Sequence, residues 1–189
     1  ICFMQINQIP FTETGYLNTL MTDYISEDKK VKSFYNRFPS VASAEAQILE
    51  KKELAISRPV LVEALKVQYK KLSHFSHKEE VEENINSLAS DSAFTITTGH
   101  QLCLFTGPLY FIYKIANAIN MAKELQEKYP QNQFVPVFWM ASEDHDFEEI
   151  NHIHFKGHKI TWHREMGGAV GRMEVESCAK ALEALEFHV

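Results

Sequence analysis

Cysteine is scarce in this sequence: three in 189 residues, Cys2, Cys103 and Cys178, far apart. So few and so scattered, they build neither a disulfide framework nor a CxxC zinc pair, and they fit a reducing cytoplasm. Long apolar runs are also missing. The longest, Phe134 to Ala141, falls far short of the ~20 residues that span a bilayer. No basic segment followed by a smooth apolar stretch opens the chain, which speaks against a signal peptide. Positive charge is in deficit: 19 Lys and Arg stand against 25 Asp and Glu, a net charge of −6. A dedicated nucleic-acid or anionic-membrane binder carries the opposite imbalance. Gly/Ser linkers, internal repeats and low-complexity tracts are absent too. The chain begins at Ile1, with Met4 a candidate natural start, and Phe187-His188-Val189 gives no sign of a finished domain, so a fragment of a longer protein is expected.

What is present is a core. Apolar residues make up 45 % of the chain, enough to exclude global disorder. Residues 1–42 are irregular, with Tyr16, Leu17, Leu20, Tyr24, Val31, Phe34, Tyr35 and Phe38 at roughly helical intervals, and read as short helices packing on something larger. Residues 43–72 are helical with an interruption near Pro59, and Leu61, Leu65, Tyr69 and Leu72 are expected on one face. Pro59 suits a first helical turn, where its missing N–H costs nothing. A second helix is expected over Lys78–Ala89, with Val81, Ile85 and Leu88 inward and its glutamates on a solvated face.

The pattern changes at residue 93. Ala93 to Thr98 is β-branched and aromatic and reads as a strand that Gly99 ends. A loop follows to Pro108. A helix runs over Leu109–Lys128, with Ile112, Ile115, Ala116, Ile119, Ala122 and Leu125 expected inward, and Pro130 stops it. The near-continuous apolar run from Phe134 to Met140 predicts a strand covered on both faces. Strand, helix, strand is most economically a right-handed crossover in a parallel sheet. Two short alternating stretches around Lys156-Gly157 predict a hairpin, and Ser177–Phe187 a further helix. The fold class is therefore α/β, with a helical segment over residues 1–92 and the first part of a core over residues 93–189.

Ligands of open α/β sheets bind beyond the carboxyl ends of the strands. Both strands here end in turns rich in chemistry. The first holds Thr98, Gly99, His100, Gln101, Thr106 and Gly107, with Lys114 in the next helix. Glycines and a helix N-terminus suit a phosphate cradle, and equally a tight turn that needs two glycines. It is neither a P-loop nor a GxGxxG motif. Cys103 is either a loop nucleophile or a small buried apolar residue. The second turn sets Glu143, Asp144, Asp146, Glu148 and Glu149 around His145. It reads as a grip for an ammonium group or cation, or as a solvated acidic turn. Nine histidines, five of them between His145 and His163, raise a metallohydrolase built on His145, His152 and His154 as an alternative. The loose H-x-H spacing and the lack of HExxH leave no metal ligand assigned.

At these two turns the sequence resembles a known family. Thr98-Gly99-His100-Gln101-Leu102-Cys103-Leu104-Phe105-Thr106-Gly107-Pro108-Leu109-Tyr110, then Lys114, is similar to the signature TGQQ-x-GLFTGPLY-x3-K. Pro136 to Glu149 is similar to PVFW-x-A-x-EDHDF-x-E. These are signatures of the bacillithiol biosynthesis cysteine-adding enzymes. Residues 23–39 and Val170-Gly171-Arg172-Met173 resemble further segments. His100 stands where the family pattern has Gln, and Cys103 where it has Gly. The first keeps a polar hydrogen-bonding group, and the second adds bulk and a thiol.

The resemblance implies a Rossmann-like, three-layer parallel sheet of which this chain holds part. It also implies a cytoplasmic ligase that joins L-cysteine to the amine of glucosaminyl malate, and a homodimer formed by a coiled coil in the longer family members. A carboxylate and an amine do not condense unaided in water. Activation by ATP or another nucleotide is therefore expected, as a co-substrate rather than a tightly bound cofactor. On this reading Asp144 and His145 are catalytic. Thr98, Gly99, His100, Gln101, Thr106, Gly107, Lys114, Glu143 and Asp146 bind substrate or nucleotide, and Cys103 is a bystander. A non-catalytic nucleotide- or small-molecule-binding module is the alternative, and activity of this fragment alone is not expected.

Overall fold

The computed structural model describes residues 7–72, 74–165 and 167–189. Cys2 and Met4 lie outside the described residues. The chain divides into two compact units, the first ending at Glu53 and the second beginning at Leu54. The first unit carries three short helices, α1 (Phe11–Thr14), α2 (Thr19–Ile25) and α3 (Ala44–Lys52). Asn18 caps α2 by accepting the Met21 N–H at 2.9 Å, and Arg37 and Asn36 both bond the Glu50 carboxylate. Tyr24 packs edge-on to Tyr35 with ring centroids 5.1 Å apart.

The second unit contains α4 (Arg58–Lys70), α5 (Lys78–Ser87), β1 (Ala93–His100), α6 (Leu109–Lys128), β2 (Gln133–Met140), α7 (Phe147–Ile150), β3 (His152–Phe155), β4 (His158–Thr161) and α8 (Ala179–His188). Pro59 sits in the first turn of α4 as its fixed φ favours. β1 and β2 pair in parallel from Ala93↔Gln133 to His100↔Met140, joined by α6. The ladder extends one step past the strands, because the Ala141 N–H donates to the His100 carbonyl at 3.0 Å. Side chains alternate across a strand, so β2 presents Phe134 and Phe138 to one face and Val135 and Val137 to the other. Phe138 meets Phe111 of α6, and Phe134 meets Tyr129 just beyond it. Val135 and Val137 pack with Val62 and Leu65 of α4 and with Val81 and Ile85 of α5. The crossover helix, the parallel pair and α4–α5 thus make three layers, in a mixed helix-and-strand architecture of Rossmann type.

A second core joins the hairpin β3–β4 to α7 and α8 through Leu104, Phe147, Ile150, Ile160, Trp162, Val170 and Ala181. The hairpin pairs His152↔Thr161 through Phe155↔His158, with Gly157 at φ +83° in its turn.

Four expectations need correction. Gly99 does not end β1. It lies inside the strand opposite Trp139, where a Cβ would sit 2.7 Å from the Trp139 carbonyl oxygen, so its use is close approach rather than termination. β2 is not covered on both faces along its length: Trp139 is 61 % and Met140 52 % exposed, and the strand opens where the site lies. The inward face of α6 centres on Ala118, Ala122 and Leu125, flanked by Phe111, Lys114, Ile115 and Met121, whereas Ile112, Ala116 and Ile119 are exposed. The first half of α6 is apolar nearly all round, so the sheet rather than the pattern selects the stripe. On α4, Val62 takes the central place with Leu65 and Tyr69 beside it and Leu61 faces outward, while Leu72 lies past the end of the helix and is exposed.

The corrected face of α6 is measurable. Leu125→Ala removes a side chain only 4 % exposed and lowers unfolding free energy by about 2–4 kcal/mol in urea titration. Ile112→Ala costs less than about 1 kcal/mol, since surface truncations away from the core are small. Equal losses would contradict this packing.

Candidate functional site

The two turns meet. A cleft of about 480 Å³ at the carboxyl ends of β1 and β2 is lined by Thr97, Thr98, Gly99, His100 and Gln101 from one side and by Trp139, Ala141, Asp144 and Glu149 from the other. Parallel pairing dictates this, because neighbouring parallel strands finish at the same edge.

Glu149 ties the turns together. Gln101 Nε2 donates to Glu149 Oε2 at 2.9 Å, across 48 positions of sequence. His100 Nε2 lies 3.5 Å from Glu149 Oε1 and 2.6 Å from the Tyr110 hydroxyl. The His100 side chain is 8 % exposed and Gln101 is 4 % exposed, so these contacts hold polar groups that water reaches poorly. Gln101 Oε1 is buried without a partner among the described residues. Such an orphan acceptor costs roughly 1–3 kcal/mol until a donor reaches it.

The acidic turn is built from its own side chains. Asp144 Oδ1 accepts the backbone N–H groups of His145 at 2.6 Å and Asp146 at 3.1 Å. Asp146 caps α7 by accepting the Glu149 N–H at 3.2 Å, which aims Glu149 back toward Gln101. A distant segment clamps the same turn: the Val170 N–H donates to the Asp144 carbonyl at 2.7 Å and the Gly171 N–H to the Ser142 carbonyl at 2.9 Å. A Cβ on Gly171 would come 2.4 Å from that of Ser142, so only glycine fits this approach.

Of the residues expected at the site, Thr98, Gly99, His100, Gln101 and Asp144 line the cleft. His145 stands beside it, its side chain 87 % exposed and its Nδ1 3.9 Å from Asp144 Oδ1. His145 and Asp146 line a neighbouring hollow of about 630 Å³ with Trp162, His163 and Arg164. Glu143 is exposed. Thr106, Gly107 and Lys114 are not among the residues lining the cleft. Phe105, Thr106 and Gly107 run through positive φ in succession, at 46°, 73° and 62°, and Gly107 packs tightly on Cys103, where a Cβ would fall 2.4 Å from the cysteine Cβ. The Lys114 ammonium donates to the Gly99 carbonyl from within α6 and so braces the floor of the cleft from behind. Glu149, Tyr110, Trp139 and the 170–171 clamp also belong to the site, although the sequence alone assigns them no role there. Each lies inside a stretch that resembles the family: Tyr110 in the first signature, Trp139 and Glu149 in the second, and Val170 and Gly171 in the later segment.

No Lys or Arg lines the cleft, whereas two carboxylates do, beside an exposed indole. That set favours a cation: carboxylates attract an ammonium group and an aromatic face adds to the attraction. Among the described residues no three His, Cys, Asp or Glu side chains are grouped so as to hold a metal ion. His152 and His154 do share a strand face, with ring centroids 5.6 Å apart.

The two departures from the family signature touch one another. Cys103 Sγ lies 3.3 Å from His100 Nδ1. Burial pushes the Cys103 thiol above its ordinary pKa and the Glu149 carboxylate adds to this, against a smaller opposing pull from Lys114. Burial, again with Glu149, also raises the Tyr110 phenol.

The fold and cleft define a Rossmann-like α/β protein with a polar crevice at its strand ends. Residues 4–189 match the family described as "Bacillithiol biosynthesis BshC, N-terminal Rossmann-like domain", and the chain belongs to that family. It is 48 % identical over 177 residues to a protein of Flavobacterium psychrophilum named "Putative cysteine ligase BshC", covering 92 % of this chain and 33 % of that one. A protein of the same name from Flavobacterium johnsoniae is 46 % identical over 182 residues, covering 95 % and 34 %. One from Bacillus cytotoxicus is 29 % identical over 190 residues, covering 96 % and 34 %. The chain spans about a third of the length of these curated relatives. No helix among the described residues is long and apolar enough to cross a membrane.

The thiol gives a pH test. Alkylation follows the thiolate fraction, so the rate midpoint for Cys103 lies above the ~8.5 of an ordinary thiol when read by mass spectrometry across pH. Glu149→Gln removes a negative charge that opposes the thiolate, so the Cys103 midpoint falls. The Cys178 midpoint, raised by burial alone, stays put. A Cys103 midpoint that does not respond to Glu149→Gln would contradict the influence of the Glu149 charge on the thiol.

Proposed function

We propose that this chain supplies the amine-gripping half of a cysteine ligase, in a cytoplasmic, homodimeric protein that joins L-cysteine to the amine of glucosaminyl malate. The observation that carries the reading is the convergence of both signature turns on one carboxylate-lined, cation-seeking cleft. The names of the relatives support the reaction class.

Amide formation needs an activated carboxyl. ATP or another nucleotide serves as co-substrate. A carboxylate oxygen of cysteine attacks a phosphorus of the nucleotide, the P–O bond to the rest of the phosphate chain breaks so that pyrophosphate or the nucleoside diphosphate leaves, and the resulting mixed anhydride is attacked by the sugar amine in its neutral form. The new C–N bond forms as the phosphate-bearing oxygen leaves, and the amine surrenders a proton. Thr98, Gly99, His100 and Gln101 frame the reacting groups. The orphaned Gln101 Oε1 is an acceptor suited to an N–H donor. Asp144 holds the ammonium, and His145 beside it takes the proton. Glu143 and Asp146 shape the acidic turn that presents this pair. Thr106 and the N-terminus of α6 offer N–H groups to phosphate, Gly107 lets the backbone come close although its own N–H goes to the Leu104 carbonyl at 2.8 Å, and Lys114, which keeps further ammonium protons beyond its bond to the Gly99 carbonyl, counters developing charge.

In the full-length enzyme, Asp144→Asn and His145→Ala each lower the rate of amide formation by about 10²-fold, the usual worth of a positioned acid or base. The assay follows the product thiol by mass spectrometry with cysteine, glucosaminyl malate and ATP. Full turnover in either variant removes that residue from the mechanism, and no product from the unmutated protein defeats the ligase reading.

A further inference from the structure

A separate cavity of about 420 Å³ lies between α4, α5 and their connection, remote in sequence from the cleft. Its walls carry Tyr69 and Phe75, packed edge-to-face with centroids 5.4 Å apart, and Ile85 below them. Its rim carries Lys66, Lys70 and Lys78, with Asn86 as a neutral hydrogen-bonding group and Glu82 as the one carboxylate of the lining. Glu82 is shared with Lys78 at 3.7 Å, whereas the Lys66 and Lys70 ammonium groups make no ion pair or side-chain hydrogen bond with the described residues.

This concentration of charge is unusual for the chain, whose net charge is −6. Lys66 and Lys70 are one helical turn apart on one face, a spacing at which like charges repel. Lys78 opens α5, where the helix dipole disfavours a cation, and no side chain caps that end. Three cations facing one aromatic-walled hollow match a ligand with a flat ring and several negative charges: the ring packs on Tyr69 and Phe75 while the anion meets the lysines.

We propose that the α4–α5 cavity is a second binding site, for a nucleoside phosphate, independent of the strand-end cleft. The phosphates supply the charge that Lys66 and Lys70 lack, and the base supplies the planar surface.

The test is titration of the 189-residue chain with ATP, adenosine and tripolyphosphate separately, by calorimetry and saturation-transfer NMR. ATP is expected to bind at least tenfold more tightly than either part. Lys66→Ala/Lys70→Ala, two exposed changes that leave the thermal melt in place, weakens this ATP binding at least tenfold, whereas Asp144→Asn in the strand-end cleft and Thr106→Ala at the phosphate position of the proposed function leave it unaltered. Absence of ATP binding overturns the proposal. So does unchanged affinity in the double variant, loss of binding in Asp144→Asn or Thr106→Ala, or tripolyphosphate binding as tightly as ATP.

Discussion

The contact on which the site depends is the bridge from the Gln101 amide to the Glu149 carboxylate. Pairing of β1 with β2 brings two turns to the same edge, but strand pairing alone leaves turns free to splay. The Gln101–Glu149 bond, with His100 on the other carboxylate oxygen, fixes their separation and gives the cleft a definite width. The rest follows in order. Asp146 caps α7 so that Glu149 points inward. Val170 and Gly171 hold the backbone of the acidic turn, and Lys114 supports the Gly99 carbonyl that floors the cleft.

The proposed function rests on the charge of that cleft. Two carboxylates with no lining lysine or arginine bind cations better than phosphates. On the proposed function, the amine and the activating nucleotide therefore call for different parts of the protein. The first turn divides accordingly: its front, Thr98 to Gln101, faces the cleft, and its back, Thr106 to Lys114, belongs to the start of α6.

Much of the core was legible because its periodicity is strong. The β1–α6–β2 unit, the hairpin around Gly157 and the helices α4 and α5 follow from alternation, helical spacing and Pro or Gly punctuation. The inward face of α6 was not legible, because Leu109 to Tyr113 is apolar at every position and offers two rival stripes. Gly99 looked like a stop, since nothing in a single sequence shows that Trp139 crowds it from the next strand. Trp139 and Met140 looked buried, because an apolar run does not reveal where a sheet opens. Glu149 was one of five carboxylates around His145. Only the long-range contact with Gln101 distinguishes it, just as only the fold brings Gly171 against Ser142.

The most direct measurement of this account is a double-mutant cycle in folding stability for Gln101→Ala and Glu149→Ala. The Glu149 side chain is 46 % exposed, so solvent weakens the bond below the worth of a fully buried charged pair. A favourable coupling of about 1 kcal/mol is predicted. Additive losses, with no coupling beyond experimental error, would mean that the two turns do not hold one another and that the cleft they line has no fixed shape.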